Sequence, residues 1–312
     1  MSWEETYTIW NKRPDLAPEV REDLDKIAND NEALEDAFYT PMEFGTAGMR
    51  GLIGAGINRM NIYTVRQATE GLARFMDTLD EETKLRGVAI SYDSRHMSQE
   101  FAFEAARVLG AHGIPSFVFE SLRPTPELSF TVRHLHAYAG IMITASHNPK
   151  QYNGYKIYGE DGAQMPPKES DMITNYIREV DDLFAVEVAD KDALINDNTL
   201  QVIGSEVDEV YLENAKEVTI DRELVAEEGK TMKLVFTPLH GTGGMLGEKA
   251  LRQAGFEDFT MVPEQAMPDP EFPTVEHPNP EFTEAFDLAI KLGKSQKAAL
   301  LVAVAPDAAR FG

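Results

Sequence analysis

Short apolar runs alternate with segments of helical spacing along most of this chain, and this alternation limits the folds open to it. The runs that read as strands occupy residues 87–92, 116–119, 138–144, 154–158, 233–237 and 298–304. Helical patterns cover much of the first forty residues and recur near residues 62–79, 98–113, 125–136, 206–218, 244–255 and 281–293, with Ser98 placed as an N-cap. Because strands separated by helices pair in parallel through helical crossovers, the pattern predicts an α/β fold with mixed, mostly parallel sheets.

Two stretches interrupt the alternation. Residues 184–204 have weak periodicity and mixed polarity. We place a domain boundary there, which gives a first domain at 1–200 and a second at 205–312. Residues 263–280 contain six prolines, which forbid regular structure and predict an ordered loop or a linker.

The composition excludes several classes of protein. The 312 residues are 43% hydrophobic and 26% charged, without an apolar window of membrane-spanning length and without a signal-peptide pattern at the start. The absence of cysteine excludes disulfides, thiolate metal sites and cysteine nucleophiles, and it fits a cytoplasmic protein. A formal net charge of −24 argues against nucleic acid or an anionic membrane as a partner. In so acidic a chain, a basic residue near a candidate site is stronger evidence that the site binds an anion.

A serine follows the most apolar of the predicted strands. Residues 144–149 read Thr-Ala-Ser-His-Asn-Pro, which places Ser146 and His147 just beyond the strand at 138–144. Ligands of open α/β sheets bind outside the carboxyl ends of strands, so Ser146 is a candidate for chemistry. A polar turn that caps the next element is the alternative. A Ser-His-Asp hydrolase is a weaker one, because no Gly-x-Ser-x-Gly elbow is present.

Two further segments carry charged groups that can meet an anion. Residues 44–51 are rich in glycine and contain Arg50, whose guanidinium can bind phosphate through two parallel hydrogen bonds. Such glycine clusters also mark ordinary turns. Asp93 and Arg95 follow the strand at 87–92, and they either contact a ligand or form an ion pair that braces their loop.

The remaining candidates are Lys156 and the turn at 237–244. Lys156 follows Ser146 by ten residues, and it either serves as an acid or base or extends its amine harmlessly to solvent. Residues 237–244 read Thr-Pro-Leu-His-Gly-Thr-Gly-Gly and open a helix. Their backbone amides can face an anion, and plain helix entry explains them equally well.

Together these segments resemble the α-D-phosphohexomutase superfamily, in its phosphoglucomutase and phosphomannomutase branch. The serine motif at 144–149 matches the active-site signature of that family throughout. The other segments match its landmarks in order, and residues 267–281 resemble the bacterial phosphoglucomutase group. The resemblance implies two consecutive three-layer α/β domains. Full-length relatives have four domains, so the third and fourth are expected to be absent and the second incomplete.

The resemblance also assigns roles to residues. It implies that Ser146 is a phosphoserine, that His147 and Lys156 assist as acid and base, and that Arg50 contacts the serine phosphate. It further implies a substrate or phosphate site that draws on Thr46, Arg50, Asp93, Arg95 and Arg310. The reaction implied is the interconversion of glucose 1-phosphate and glucose 6-phosphate, with glucose 1,6-bisphosphate as intermediate and activator.

The chain departs from the family at the metal loop. The family pattern reads Asp-x-Asp-x-Asp-Arg and holds Mg²⁺ together with a phosphoserine oxygen. Here Ala305, Asp307, Ala309 and Arg310 occupy those positions, which leaves Ser146 and Asp307 as the implied ligands. Because Mg²⁺ requires several oxygen ligands, its binding and the activity are expected to be weakened or lost.

Several alternatives to a glucose-specific mutase stay open from the sequence. Phosphomannomutase and phosphopentomutase activities fit the same motifs, because sugar selection is implied to lie in the absent third domain. A non-catalytic phosphosugar-binding fragment fits the altered metal loop. An incomplete second domain would leave an unpaired sheet edge, which predicts self-association.

Overall fold

The structure, a computed structural model, describes residues 2–45 and 48–312, which form two α/β units. In the first unit these residues build a six-stranded sheet of order β1-β5-β4-β2-β3-β6. Strands β2, β3, β4 and β6 are parallel, whereas β5 is antiparallel to both β4 and β1. The strands are β1 (Met49–Leu52), β2 (Val88–Tyr92), β3 (Ser116–Phe119), β4 (Ala139–Ile143), β5 (Tyr152–Tyr158) and β6 (Leu200–Ile203).

Helices cover both faces of this sheet, as a three-layer domain requires. Alternate residues of β2 point to opposite faces: Val88 and Ile90 pack in the large core with α4, α6 and α8, and Ala89 packs beside α7. The helices are α1 (Trp3–Lys12), α2 (Pro18–Ile27), α3 (Asn31–Phe38), α4 (Ile62–Met76), α5 (Glu81–Lys84), α6 (Ser98–Ala111), α7 (Thr125–His134), α8 (Pro167–Arg178) and α9 (Lys191–Asn196).

The second unit has a smaller parallel sheet. Its described strands, β7 (Leu234–Thr237), β8 (Phe259–Met261) and β9 (Leu300–Ala303), are ordered β8-β7-β9. Val235 packs against α13, and Phe236 packs against Gly247 of α12 on the other face. The helices are α10 (Ser205–Ala215), α11 (Arg222–Glu228), α12 (Gly243–Ala254) and α13 (Asp287–Gln296). No helix in the described ranges is both long and apolar enough to cross a membrane.

The α/β fold with mostly parallel sheets is confirmed, and two local expectations need correction. The segment 184–204 contains α9 and β6, and β6 pairs with β3, so the first sheet extends to Ile203. Ser98 is the first residue of α6 rather than its N-cap. Met97 occupies the cap position without a side-chain cap, and the hydroxyl of Ser98 donates to Asp93, 2.8 Å away.

Candidate active site

The carboxyl ends of strands from both units meet at one place. Ser146 follows β4, Asp93 follows β2, and Asp307 follows β9 of the second unit. Ser146 and Asp307 are in contact, so the site lies where the two sheets face each other through these ends. This is the edge at which open α/β sheets bind ligands.

The backbone of Ser146 is held in a conformation that few residues other than glycine adopt. Its φ angle is 56°, in the left-handed region. Its N–H donates to Oγ1 of Thr144 at 2.8 Å, and that hydroxyl donates to Oδ2 of Asp93 at 2.6 Å. A buried chain of hydrogen bonds therefore fixes the direction in which the serine side chain leaves the loop.

Four of the predicted site residues lie together around the serine hydroxyl. Oγ of Ser146 is 3.4 Å from Oδ1 of Asp307 and 3.3 Å from Nδ1 of His147. Nζ of Lys156 is 3.5 Å from the second carboxylate oxygen of Asp307. A hydroxyl, an imidazole, an amine and a carboxylate thus converge from a loop, a strand and the second unit.

Asp93 and Arg95 lie beneath the serine loop. Both side chains are fully buried, and Nε of Arg95 lies 3.2 Å from Oδ2 of Asp93. The guanidinium donates to four carbonyl oxygens of the loop at 2.6–3.0 Å, those of Ser146, Asn148, Pro149 and Tyr152. The expectation that these two residues contact a substrate phosphate stays a prediction. Their donors and acceptors are turned toward the loop, as in the alternative of a bracing ion pair.

Two arginines flank the site at its surface. Arg50 is exposed on β1 and donates to Oδ1 of Asn148 at 2.8 Å. Arg310 pairs with Glu281 at 3.0 Å. Burial, followed by the positive charges of Arg310 and Arg50, lowers the pKa of the half-buried His147 imidazole. Thr46, predicted to contact phosphate, lies outside the described residues.

The loop that carries Asp307 is a tight turn anchored to both units. The N–H of Ala305 donates to the carbonyl of Arg310 at 3.0 Å, and Val304 bridges Phe311. The carbonyl of Asp307 accepts a hydrogen bond of 2.9 Å from the N–H of Thr125, at the start of α7 in the first unit. The position of Asp307 relative to Ser146 is thus fixed from the first unit as well as from the second.

The glycine-rich turn before α12 braces this loop. A Cβ on Gly241 would lie 2.3 Å from Cα of Pro306, so only glycine allows the approach. The N–H and the hydroxyl of Thr242 both donate to the carbonyl of Pro306, at 2.8 and 2.9 Å. The amide of Thr242 therefore faces the neighbouring loop rather than an anion.

The residues at the loop do not fit a magnesium site of the kind that the resemblance implies. Ala305 and Ala309 supply no ligand, and across the described ranges no group of three or more His, Asp or Glu side chains is placed to hold a metal. Oδ2 of Asp307 is buried without a hydrogen-bond partner among the described residues, and the amine of Lys156 stands beside it. One carboxylate and one hydroxyl fall short of the near-octahedral oxygen set that Mg²⁺ requires.

Sequence reasoning missed three contributors. Thr144 lies inside the quoted motif, but its link to Asp93 depends on how two strand ends meet. Thr125 offers only a backbone amide, which no side-chain pattern can reveal. Phe272, in the proline-rich segment, covers the guanidinium of Arg95 at 5.1 Å and carried no signal in the sequence.

Both units of the chain match models of known protein domains. Residues 41–183 match the model of the phosphoglucomutase/phosphomannomutase α/β/α domain I, and residues 209–312 match that of domain II. The chain belongs to the phosphoglucomutase/phosphomannomutase family. Its serine loop lies within the first matched domain and its Asp307 loop within the second.

Relatives of this family match over most of the chain. A phosphoglucomutase of Staphylococcus aureus strain bovine RF122 / ET3-1 is 39% identical over 277 residues, which are 89% of this chain and 48% of that protein. A solved structure from Thermus thermophilus, named as a phosphomannomutase, is 27% identical with a TM-score of 0.69, covering 88% of this chain and 56% of its own.

A more distant solved structure shares the fold. The open form of parafusin, a phosphoglucomutase from Paramecium, has a TM-score of 0.63 at 19% identity, and the match covers 87% of this chain and 53% of that one. The chain spans about half the length of these relatives.

Proposed function

We propose that Ser146 carries a phosphoryl group in a phosphohexomutase reaction that interconverts glucose 1-phosphate and glucose 6-phosphate. The observation that supports this most directly is that His147 and Asp307 lie beside the serine hydroxyl and Lys156 lies beside Asp307, with Arg50 and Arg310 at the rim. The relatives named as phosphoglucomutases favour glucose, and the motifs are shared with phosphomannomutases.

In the proposed reaction a sugar hydroxyl attacks the phosphorus of phosphoserine. The new O–P bond forms as the bond to Oγ of Ser146 breaks, and the bisphosphate turns to return its other phosphoryl group. His147, kept neutral by its lowered pKa, can accept the proton of the attacking hydroxyl. We propose that Lys156, whose amine lies 3.5 Å from Oδ2 of Asp307, returns a proton to Oγ and neutralises charge on the transferring group.

We propose that this chain is impaired in that reaction because Ala305 and Ala309 leave Mg²⁺ poorly held. Restoring both carboxylates with A305D/A309D should raise Mg²⁺ affinity by at least about tenfold, measured by calorimetric titration. Ala308→Asp is a control for added charge, since it places one new carboxylate in the same turn at a position that does not alternate with Asp307. Equal Mg²⁺ affinity in the unaltered chain and the double variant would contradict the proposal.

Phosphorylation of Ser146 is the direct test of the function. Incubation with glucose 1,6-bisphosphate should add one phosphate to the intact mass, and Ser146→Ala should abolish the addition. In a coupled assay for glucose 6-phosphate, turnover by the unaltered chain equal to that of an intact mutase would rule out impairment. Specific binding of the bisphosphate without phosphorylation would favour a phosphosugar-binding fragment, and labelling of Ser146 by a fluorophosphonate would favour a hydrolase.

The remaining assignments are proposals of the same kind. We propose two domains divided between Ile203 and Ser205, which moves the predicted end of the first domain from residue 200 to the end of β6 and keeps the second at 205–312. A hexose phosphate is the proposed partner in the cytoplasm, and the net charge of −24 favours neither nucleic acid nor a membrane surface. Self-association through the edge strand β9 is tested by sedimentation velocity at several protein concentrations.

A further inference from the structure

We infer that the proline-rich loop of the second unit, residues 263–280, positions the serine loop of the first unit, with Phe272 as the positioning residue. Its effect on phosphoryl transfer rests on the proposed function. The positional claim rests on contacts between the two loops alone. The proline-rich loop is therefore part of the active-site framework rather than a linker.

The central contact is between Phe272 and Arg95. The Phe272 ring, 2% exposed, lies with its centroid 5.1 Å from Cζ of Arg95. That guanidinium holds four carbonyls of the serine loop, so the ring fixes the group on which the loop depends. An aromatic face over a desolvated guanidinium is a stronger contact than the same pair in water.

The backbone of Phe272 is strained where this contact is made. Its φ angle is 43°, a left-handed conformation that a bulky residue adopts only when its surroundings impose it. The N–H of Phe272 donates to the carbonyl of Asp269 at 3.2 Å, and the N–H of Val275 donates to that of Phe272 at 3.0 Å. The loop therefore bends sharply at the residue that meets Arg95.

A second contact lies beside the first, on the solvent side. The carboxylate of Glu271 accepts from Nζ of Lys150 at 2.6 Å and lies 2.6 Å from Nε2 of His96. His96 follows Arg95 in the chain, and Lys150 ends the serine loop. Glu271 and Phe272 of the proline-rich loop thus contact Lys150, His96 and Arg95, which lie in or beside the serine loop. The exposed ion pairs add little energy by themselves.

The proline-rich loop is also attached to the sheet edge that carries Asp307. Oγ1 of Thr274 lies 2.8 Å from Nε2 of His240 and accepts from Gln265 at 2.9 Å. His240 precedes Gly241, which packs on Pro306 beside Asp307. One turn therefore supports both the loop that holds Arg95 and the loop that brings the carboxylate, and this sets the separation of Ser146 and Asp307.

The test uses the full chain labelled with ¹⁵N and the variant Phe272→Leu, which keeps an apolar side chain and removes the ring. We expect the Ser146 amide resonance to shift and the Arg95 Nε–H resonance to lose its ring-current shift. We also expect Ser146 phosphorylation at saturating glucose 1,6-bisphosphate to slow by about tenfold, with the half-saturating concentration changed less than about twofold.

Phe282→Leu is the matched control, because Phe282 is 45% exposed and is not stacked on Arg95. Ser146 and Arg95 resonances that move no more in Phe272→Leu than in this control would overturn the inference. If Phe272→Leu does not fold, the surface variant Glu271→Gln decides: an unmoved Ser146 amide counts against the inference, and a shifted one supports it. If neither the unaltered chain nor A305D/A309D takes up phosphate in the presence of Mg²⁺, the proposed function fails while the resonance test still applies.

Discussion

At the scale of single residues, Arg95 shows how a buried guanidinium can support the loop that carries a candidate nucleophile. Its planar guanidinium donates to carbonyl oxygens at both ends of the serine loop, those of Ser146 and Pro149 among them. Because these carbonyls are buried or partly buried, leaving one without a hydrogen bond would lower the free energy of unfolding. The direction in which Ser146 points is therefore set from below the loop.

We predict that Arg95→Lys destabilises the protein by about 2–4 kcal/mol, because a single amine cannot satisfy four separate carbonyls in a buried position. Urea unfolding monitored by circular dichroism measures the change. Arg252→Lys, at an exposed helical pair with Glu248, should change the free energy of unfolding by less than about 0.5 kcal/mol. Equal effects of the two substitutions would contradict the bracing role.

His147 gives a second prediction at this scale. Because Arg310 is the largest charge acting to lower the pKa of the imidazole, Arg310→Gln should raise that pKa toward its ordinary value. The protonated fraction of His147 at a given pH then increases. Histidine ring resonances followed through a pH titration measure it, and Arg252→Gln, far along α12, should leave the titration unchanged.

The motifs were informative about which residues meet and less informative about what they do. Ser146, His147 and Asp307 belong to strand-end segments, where open α/β sheets bind ligands, so each could be expected at a site. The contact between Ser146 and Asp307 could not be read from strand order, because the two residues follow strands of different sheets. The role of Arg95 could not be read from its spacing, because spacing does not say whether a guanidinium turns toward solvent or beneath a loop.

At the scale of elements, the turn at 240–243 and the loop at 305–310 fit together through glycine. We predict that Gly241→Ala destabilises the second unit by about 1–3 kcal/mol, because the new methyl group meets backbone atoms of Pro306 that cannot move aside freely. Thermal unfolding measures the loss. Gly159→Ala, whose new methyl group would have its nearest neighbours at 3.5 Å, is the control and should cost less.

The two edge strands of the first sheet, β1 and β6, were not revealed by the sequence. Strand β1 contains Arg50 and Gly51, and β6 contains the exposed Gln201, so neither reads as a buried apolar run. Both exist because a neighbouring strand offers hydrogen-bond partners along its length. Central strands such as β4 were predictable because helices bury both of their faces.

At the scale of the whole molecule, a buried charged cluster joins the two units. Arg123, before α7, donates to both carboxylate oxygens of Asp208 on α10, at 2.7 and 3.1 Å. Glu127 lies in the same cluster and is fully buried. Burial, aided by the carboxylate of Asp208, raises the pKa of Glu127 to about 9.

This raised pKa predicts how stability depends on pH. Between the ordinary carboxyl pKa and about 9, the folded state keeps a proton on Glu127 that the unfolded chain releases. The unfolded state then binds fewer protons, so the free energy of unfolding falls as the pH rises through this window. Glu127→Gln removes the ionisation and should raise stability at pH 8 by about 1–3 kcal/mol.

Denaturant unfolding at pH 5 and pH 8 measures this dependence. The gain from Glu127→Gln should be larger at pH 8, since the free-energy cost of keeping a proton on Glu127 in the folded state rises with each pH unit above the ordinary carboxyl pKa. Glu209→Gln, at an exposed neighbour of Asp208 on the same helix, should give equal small changes at both pH values. A pH-independent gain from Glu127→Gln would show that ionisation at this position does not govern stability.

The left-handed backbone at Ser146 restricts which nucleophile this loop can ever present. Threonine has the same hydroxyl, but its β-branched side chain makes a φ of 56° a steric outlier, so the exchange is disfavoured before any chemistry begins. Aspartate tolerates the same backbone conformation, and its carboxylate would place a permanent negative charge in the loop. The φ angle of residue 146 therefore disfavours threonine and tolerates aspartate, so the substitution that this backbone accepts more readily is one that removes the hydroxyl.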